Sequence, residues 1–192
     1  MKSYVIASSS KHNKKIVISG GPGSGKTTII EGLKLQGYFC LEEVSREYIA
    51  AGKAAGKENH FEEDPLAFSR LLWSRRLAQF QEATDFLNKN PEEKYAFFDR
   101  SLVDIVAYLH HKNTTVVEWE HALKMHRYDL VFLVAPVEEI YQKDNLRMES
   151  FEHATILHQR LVEEYKLLGP IIEVPFLSPE ERVKFILNHC HE

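Results

Sequence analysis

Residues 16–27 read IVISGGPGSGKT, and this stretch decides the fold of the chain. Its first four residues form a short β-branched run that is typical of a buried strand. The remaining eight match the whole phosphate-loop pattern G-x-x-x-x-G-K-[ST]. The alternative, a glycine-rich turn with a chance lysine, is disfavoured because a helical pattern follows at once. The stretch therefore predicts a strand, a phosphate-binding loop and a helix in succession.

Each residue type in the loop suits the binding of a phosphate chain. Glycines let consecutive backbone N–H groups turn inward toward phosphate oxygens without a Cβ in the way. The helix that begins near Gly25 points the positive end of its dipole at the same anion. Lys26 supplies a point charge to the β- and γ-phosphates, and the Thr27 hydroxyl binds Mg²⁺. The predicted nucleotide-binding residues of the loop are Gly20, Gly21, Pro22, Gly23, Ser24, Gly25, Lys26, Thr27 and Thr28.

Short apolar runs alternate with helical patterns along the rest of the chain. The predicted strands are 16–19, 38–41, 95–98, 129–134 and 171–174. The predicted helices are 27–36, 45–51, 65–87, 102–110, 116–126, 151–168 and 179–190, the last with a capping box at Ser178 and Glu181. This alternation indicates an α/β fold whose parallel sheet is covered by helices on both faces. In such folds ligands bind beyond the carboxyl ends of the strands.

The composition indicates one globular domain. The chain has 192 residues, of which 44% are hydrophobic and 27% charged. We predict a flexible leader over 1–13, a single domain over 14–192 and a glycine-rich loop over 51–64. Cys40 and Cys190 are too few for a disulfide framework, which favours a cytoplasmic protein. No apolar run approaches the roughly 20 residues of a membrane-spanning helix.

The nucleotide is expected to be ATP rather than GTP. Proteins that recognise guanine carry N-K-x-D after a strand, whereas residues 88–91 read NKNP, precede a strand and lack the aspartate. Phe176 follows the fifth strand, where the adenine ring would lie. It could pack on the base or belong to the core.

An aspartate follows the third strand, at a position suited to a metal ligand. Asp99 comes directly after the apolar run 95–98. An acid there can hold Mg²⁺, directly or through water, opposite the Thr27 hydroxyl. Asp99 could instead only cap the helix that begins near Leu102. The adjacent Arg100 could neutralise charge on the phosphoryl group that is transferred.

Charged residues after the second strand predict the acceptor side of the site. Glu43, or Glu42, could accept a proton from an acceptor hydroxyl. Arg46 could bind an anionic acceptor or the transferred phosphoryl group. The alternative for these residues is a solvated helix start. Arg76, on the long helix 65–87, is a further candidate for the acceptor pocket, although an arginine-rich helix is more often a solvated face.

The segment 141–150 lies between the fourth strand and a long helix, where nucleotide kinases carry a lid. It reads YQKDNLRMES. Arg147 could close over the phosphates, stabilise the transferring charge and exclude water. Lys143 lies four residues earlier and would share a helix face with it. Both could instead be ordinary exposed basic residues.

Taken together, these motifs resemble a family of small P-loop kinase-like ATPases of the AAA type, related to nicotinamide riboside kinases. The resemblance runs over about 15–187 and rests on ISGGPGSGKT (18–27), EVSREY (43–48), FDRS (98–101) and KDNLR (143–147). It implies a nucleoside-kinase-like three-layer sandwich with a five-stranded parallel sheet of order 2-3-1-4-5, a lid, ATP and Mg²⁺. It also implies functional roles for Glu43, Arg46, Asp99, Arg100 and Arg147.

The sequence thus predicts an ATP- and Mg²⁺-dependent phosphotransferase with a small, nucleoside-like acceptor. Its predicted catalytic residues are Lys26, Asp99, Arg100, Arg147 and Glu43. Two alternatives remain open: an ATPase that acts as a switch with a protein partner, and a polynucleotide 5′-kinase. The net charge of −4 weighs against binding of long nucleic acid, but a 5′ end needs only a local basic groove. The expected assembly is a monomer or a homodimer.

Overall fold

The computed structural model describes residues 13–54, 63–140 and 150–191, and a sheet of five parallel strands lies at its centre. The strands are β1 (Lys14–Ser19), β2 (Phe39–Leu41), β3 (Tyr95–Asp99), β4 (Leu130–Val134) and β5 (Ile172–Val174). Their order across the sheet is β2-β3-β1-β4-β5. This confirms the predicted parallel sheet and the strand order that the resemblance implies.

β1 occupies the middle of the sheet because its side chains are apolar on both faces. Ile16, Val17 and Ile18 are fully buried. β1 pairs with β3 on one side and with β4 on the other, and the register places Ile18 beside Asp99. The end of β3 therefore lies next to the point where β1 leads into the phosphate loop.

Helices cover both faces of this sheet. They are α1 (Lys26–Leu35), α2 (Ser45–Ala54), α3 (Pro65–Lys89), α4 (Leu102–His111), α5 (Val117–Leu123), α6 (Phe151–Leu168) and α7 (Pro179–Cys190). Val17 faces a core formed with α3, α4 and α6, whereas Ile16 and Ile18 face a core formed with α1 and α7. Alternate residues of one strand thus serve both layers, and the predicted three-layer sandwich is confirmed.

The predicted helix 116–126 is wrong at its C-terminal end, since α5 ends at Leu123. The N–H groups of Lys124 and Met125 bond to carbonyl oxygens three residues earlier. That spacing belongs to a tight 3₁₀-type turn rather than to an α-helix.

The structure also tests other predicted boundaries of helices and loops. The capping box of Ser178 and Glu181 at the start of α7 is confirmed. α2 continues to Ala54, into the segment predicted as a loop. Other parts of the predicted segments lie outside the described residues: 1–12 of the leader, 55–62 of the loop and 141–149 of the lid. Among the helices of the described ranges, none is long and apolar enough to cross a membrane.

Candidate functional site

The phosphate loop, residues 20–25, joins β1 to α1, and its backbone geometry depends on glycine. Gly20 has a φ of 151°, and a Cβ there would lie 2.0 Å from the carbonyl oxygen of Val134. Gly25 precedes α1 with a φ of 86°, and no side chain of the described residues caps the helix there. The first N–H groups of α1 therefore keep their hydrogen-bonding capacity for an anion.

Lys26 is held against this loop. Its Nζ donates to the carbonyl oxygens of Gly20 and Gly21, each at 2.8 Å, and lies 3.0 Å from Ser24 Oγ. Burial and the charge of Arg100 lower the pKa of Lys26 to about 7. A bound phosphate would favour the charged form, so Lys26 is suited to receive a phosphate chain.

Asp99 ends β3, and Thr27 lies exposed in the first turn of α1. Asp99 is 6% exposed, and its Oδ1 has no hydrogen-bond partner among the described residues. Burial and the nearby Glu43 raise the pKa of Asp99. A buried carboxylate oxygen without a donor suits a cation, and Mg²⁺ typically binds one or two protein groups together with substrate phosphates. Asp99 and Thr27 fit that arrangement.

A metal site made of protein ligands alone is a different case. The described residues contain no group of three or more His, Cys, Asp or Glu side chains that could hold a metal ion.

Glu43 lies between two arginines. Its Oε1 accepts a hydrogen bond from Arg76 Nη2 at 2.9 Å, and its Oε2 pairs with Arg100 Nε. Burial alone would raise the pKa of Glu43, but the charges of Arg76 and Arg100 outweigh it and lower the pKa. The carboxylate is therefore ionised at neutral pH. Glu42, by contrast, is exposed and pairs with Lys34, so Glu43 is the glutamate that the fold brings to Arg100.

A second buried carboxylate holds Arg100 from another side. Asp104 Oδ1 lies 3.2 Å from Arg100 Nη1, and Asp104 accepts hydrogen bonds from Ser19 Oγ and the Tyr165 hydroxyl, each at 2.5 Å. The backbone N–H of Ser101 donates to Asp104 Oδ2 at 2.8 Å. Arg100 has a φ of 70°, a conformation that residues other than glycine seldom adopt. The carboxylate network holds the guanidinium in place despite this backbone.

The Tyr165→Phe variant tests whether the Tyr165 hydroxyl stabilises the hydrogen-bond network around Asp104 and Arg100. The variant removes a hydroxyl that bonds to a buried carboxylate, so we expect the free energy of unfolding to fall by about 1.5–3 kcal/mol. Urea denaturation followed by tryptophan fluorescence measures the change. Tyr38→Phe is the control, because the Tyr38 ring packs on Phe97 in the opposite core. Equal losses in the two variants would show that the Tyr165 hydroxyl adds nothing.

A cavity of about 150 Å³ opens beside the arginines, and we call it the α3 cavity. Arg76 and Arg100 line it, together with apolar side chains of four helices: Ile49, Phe68, Leu72, Ile105, Leu157 and Leu161. Arg46 is exposed on α2 and is not among its lining residues, whereas Ser45 and Ile49 of the same helix are. The structure thus brings Glu43, Arg76 and Arg100 together and leaves Arg46 outside.

A second cavity, of about 520 Å³, lies beside the phosphate loop at the start of α7. Gly25 and Thr28 line it on the loop side and Phe176 on the other. Phe176 is 57% exposed, so the alternative of a core position is wrong. The guanidinium of Arg182 lies 4.9 Å from the Phe176 ring centroid, and its Nη1 donates to the Ser24 carbonyl at 3.0 Å. The exposed ring is therefore fixed next to the loop and open to a planar ligand.

The sequence could assign Asp104 either a structural or an acceptor-side role, and the structure shows it in a capping box with Ser101 and paired with Arg100. Two other residues of this site, Tyr165 and Arg182, were missed by the sequence reasoning. No local sequence pattern indicates that Tyr165 and Arg182 belong to this site, because their hydrogen-bond partners lie 61 and 158 residues away in the chain. Two predicted residues, Lys143 and Arg147, lie outside the described residues.

Solved structures share this architecture over nearly the whole chain. Deoxyadenosine kinase from M. mycoides, with dCMP and dCDP bound, is 18% identical, with a TM-score of 0.54 over 92% of this chain and 98% of its own. NadR protein in complex with NR is 17% identical, with a TM-score of 0.62 over 94% of this chain and 52% of its own, so the chain spans about half of NadR. No curated protein sequence matches the chain. At these identities the likeness shows the fold, which is that of P-loop nucleoside kinases.

A family model described as an AAA domain matches residues 15–182. The match contains the phosphate loop, the Asp99–Arg100 pair and Arg182, and it covers most of the chain. The predicted resemblance is confirmed: the chain belongs to the AAA domain family and has a P-loop kinase-like fold.

Proposed function

We propose that this chain is an ATP- and Mg²⁺-dependent phosphotransferase that transfers the γ-phosphoryl group to a hydroxyl of a small, nucleoside-like acceptor. The observation that carries the proposal is the position of Glu43. Its ionised carboxylate is paired with both arginines of the α3 cavity, and it is close enough to affect the pKa of Lys26 in the phosphate loop. Support also comes from the shared fold, since solved NadR contains AMP-PNP and solved deoxyadenosine kinase contains dCMP.

Lys26 and Arg100 supply the positive charge that phosphoryl transfer requires. Charge spreads over the equatorial oxygens in a loose transition state, so catalysis rests on positioning and electrostatic stabilisation. Lys26 is already placed by two loop carbonyls and exchanges those bonds for phosphate oxygens. Arg100 is fixed by Glu43 and Asp104. When bound with ATP, Mg²⁺ would be held by Asp99 and Thr27 and would neutralise charge on the β- and γ-oxygens.

Glu43 orients the acceptor hydroxyl. Because its carboxylate stays ionised, it can accept a hydrogen bond from the hydroxyl and take its proton as the new O–P bond forms. A low pKa is compatible with this role, since a loose transition state asks for alignment of the nucleophile more than for a strong base.

The α3 cavity favours this proposal over its alternatives. An ATPase that uses water as the acceptor does not need a pocket with apolar walls next to Arg100. A polynucleotide 5′-kinase needs a basic groove for the chain that follows the 5′ end, whereas Arg76 and Arg100 are the only basic side chains of the described residues that line the α3 cavity.

The test is a comparison of acceptors with the full chain, ATP and Mg²⁺. ADP release is measured with no acceptor, with nucleosides and with a 5′-hydroxyl oligonucleotide, and mass spectrometry detects the phosphorylated acceptor. We expect slow hydrolysis alone and at least about tenfold faster ADP release with one nucleoside. Glu43→Gln should lower this rate by about 10²-fold or more, whereas Glu47→Gln, exposed on α2, should not.

Two outcomes would contradict the proposal. Steady hydrolysis that no acceptor accelerates would favour the ATPase. Phosphorylation of the oligonucleotide alone would favour the polynucleotide 5′-kinase.

A further inference from the structure

Arg182 is a buried arginine near the start of α7 that has no partner of opposite charge among the described residues. Its side chain is 4% exposed. Burial lowers the pKa of Arg182, and no neighbouring carboxylate of the described residues opposes this effect. Arg76 and Arg100, by contrast, are each paired with carboxylates. A buried charge without a counter-charge is unfavourable, so its presence beside a phosphate loop points to an anionic ligand.

The hydrogen bonds of Arg182 join two loops. Nη1 donates to the Ser24 carbonyl of the phosphate loop at 3.0 Å, and Nε donates to the Leu177 carbonyl, between β5 and α7, at 2.9 Å. The guanidinium also lies against the Phe176 ring, 4.9 Å from its centroid. Because the guanidinium is planar and rigid, it fixes the spacing between the two loops.

The bond to Ser24 acts on the peptide group that leads into α1. The Ser24 carbonyl and the Gly25 N–H belong to one trans peptide, in which the two groups point in opposite directions. The Gly25 N–H therefore points away from Arg182, and it donates to no backbone carbonyl of the described residues. A hydrogen bond accepted by the carbonyl also polarises the N–H of the same peptide. Arg182 thus orients and strengthens a donor that is available to an anion.

Arg182 also lines the cavity beside the phosphate loop, together with Gly25 and Thr28. One acidic residue of the described ranges, Glu181, lines this cavity as well. Its carboxylate accepts hydrogen bonds from the backbone N–H and the hydroxyl of Ser178 and does not pair with Arg182. The bonds of Arg182 to the described residues use Nε and Nη1, which leaves Nη2 for a ligand.

We propose that Arg182 is a positioning residue of the nucleotide site: it fixes the Ser24–Gly25 peptide against the loop after β5, and its unpaired charge strengthens the binding of the phosphate chain. A buried charge is screened less than an exposed one, so its attraction extends over several ångströms. Its contribution to affinity therefore grows with the number of negative charges on the nucleotide. This inference rests on the proposed function only in requiring that ATP binds at the phosphate loop.

The test compares the affinities of AMP-PNP, ADP and AMP for the full chain by calorimetry. EDTA is present so that no metal ion neutralises the phosphates, and AMP is measured by displacement of ADP. In Arg182→Gln we expect the Kd of AMP-PNP to rise at least about tenfold, and the rise for AMP to be at least about threefold smaller, with ADP between them. Arg182→Lys keeps the charge, so the ratio of its AMP-PNP and AMP affinities should stay within about twofold of the wild-type ratio.

Lys184→Gln is the matched control, because it removes an exposed positive charge from the same helix. It should change no Kd by more than about twofold. Circular dichroism and the calorimetric stoichiometry verify that each variant folds.

Two results would overturn this inference and leave the nucleotide site standing. One is an equal loss of affinity for all three nucleotides in Arg182→Gln, as a purely structural role would produce. The other is a changed affinity ratio in Arg182→Lys despite its charge, and this result decides the matter if Arg182→Gln does not fold. A wild-type chain that bound none of the three nucleotides, with EDTA or with Mg²⁺, would overturn the proposed function as well.

Discussion

Lys26→Ala is expected to lower ATP turnover by at least about 10²–10³-fold, the loss that follows removal of one preorganised donor to a developing charge. Lys26 is the first residue of α1, and the carbonyl oxygens of Gly20 and Gly21 accept hydrogen bonds from its Nζ and hold it against the phosphate loop. ADP release under saturating ATP and Mg²⁺, with the best acceptor present, measures the effect.

The fold should survive this substitution. Burial lowers the pKa of Lys26 to about 7, which means that the native state disfavours its charged form, so removal of the amine does not cost a stabilising charge. Lys34→Ala is the control, since Lys34 lies on the same helix and pairs with the exposed Glu42. Turnover that persists in Lys26→Ala with an intact circular dichroism spectrum would refute the role of the loop.

The sheet and the phosphate loop could be predicted because their signals are local. A β-branched run, a glycine-rich turn and a helical pattern follow one another within 16–27, and each is encoded by residues next to each other. The same holds for Asp99, whose place is set by the end of an apolar run. Parallel pairing of β1 with β3 then brings Asp99 beside the loop.

The candidate acceptor side, formed by Glu43, Arg76 and Arg100, could be predicted only in part, because its contacts join distant parts of the chain. Arg76 reaches Glu43 across 33 residues and the Ser101 carbonyl across 25. A helix carrying several arginines does not indicate which of them is buried, and only the packing of α3 on α4 decides it. Arg46, close in sequence to Glu43, is exposed on α2 and does not line the α3 cavity, so its role toward the acceptor stays a prediction.

Asp99→Asn is expected to separate stability from activity. Burial and the charge of Glu43 raise the pKa of Asp99, and its Oδ1 has no partner among the described residues. Ionisation of Asp99 therefore lowers the free energy of unfolding of the ligand-free protein. Asparagine carries no charge and removes this destabilisation. We expect a higher free energy of unfolding at neutral pH, measured by urea denaturation without nucleotide, and a turnover lower by about 10²–10³-fold, since the carboxylate is the proposed ligand of Mg²⁺.

The change in the free energy of unfolding caused by Asp99→Asn should depend on pH. A carboxyl group whose pKa is higher in the folded state than its ordinary value of about 3.9 lowers the free energy of unfolding as soon as the pH exceeds that ordinary value, because the unfolded chain then releases the proton more readily. The stability gain of Asp99→Asn should thus be absent below the ordinary pKa, grow between the ordinary and the raised pKa, and stay constant above the raised pKa. Asp104→Asn should do the opposite: although burial opposes it, the charges of Arg100 and Arg76 lower the pKa of Asp104, so its loss should destabilise the fold at neutral pH. If both variants lost stability, Asp99 would be a structural residue of the native state, and its open oxygen would not be kept for a cation.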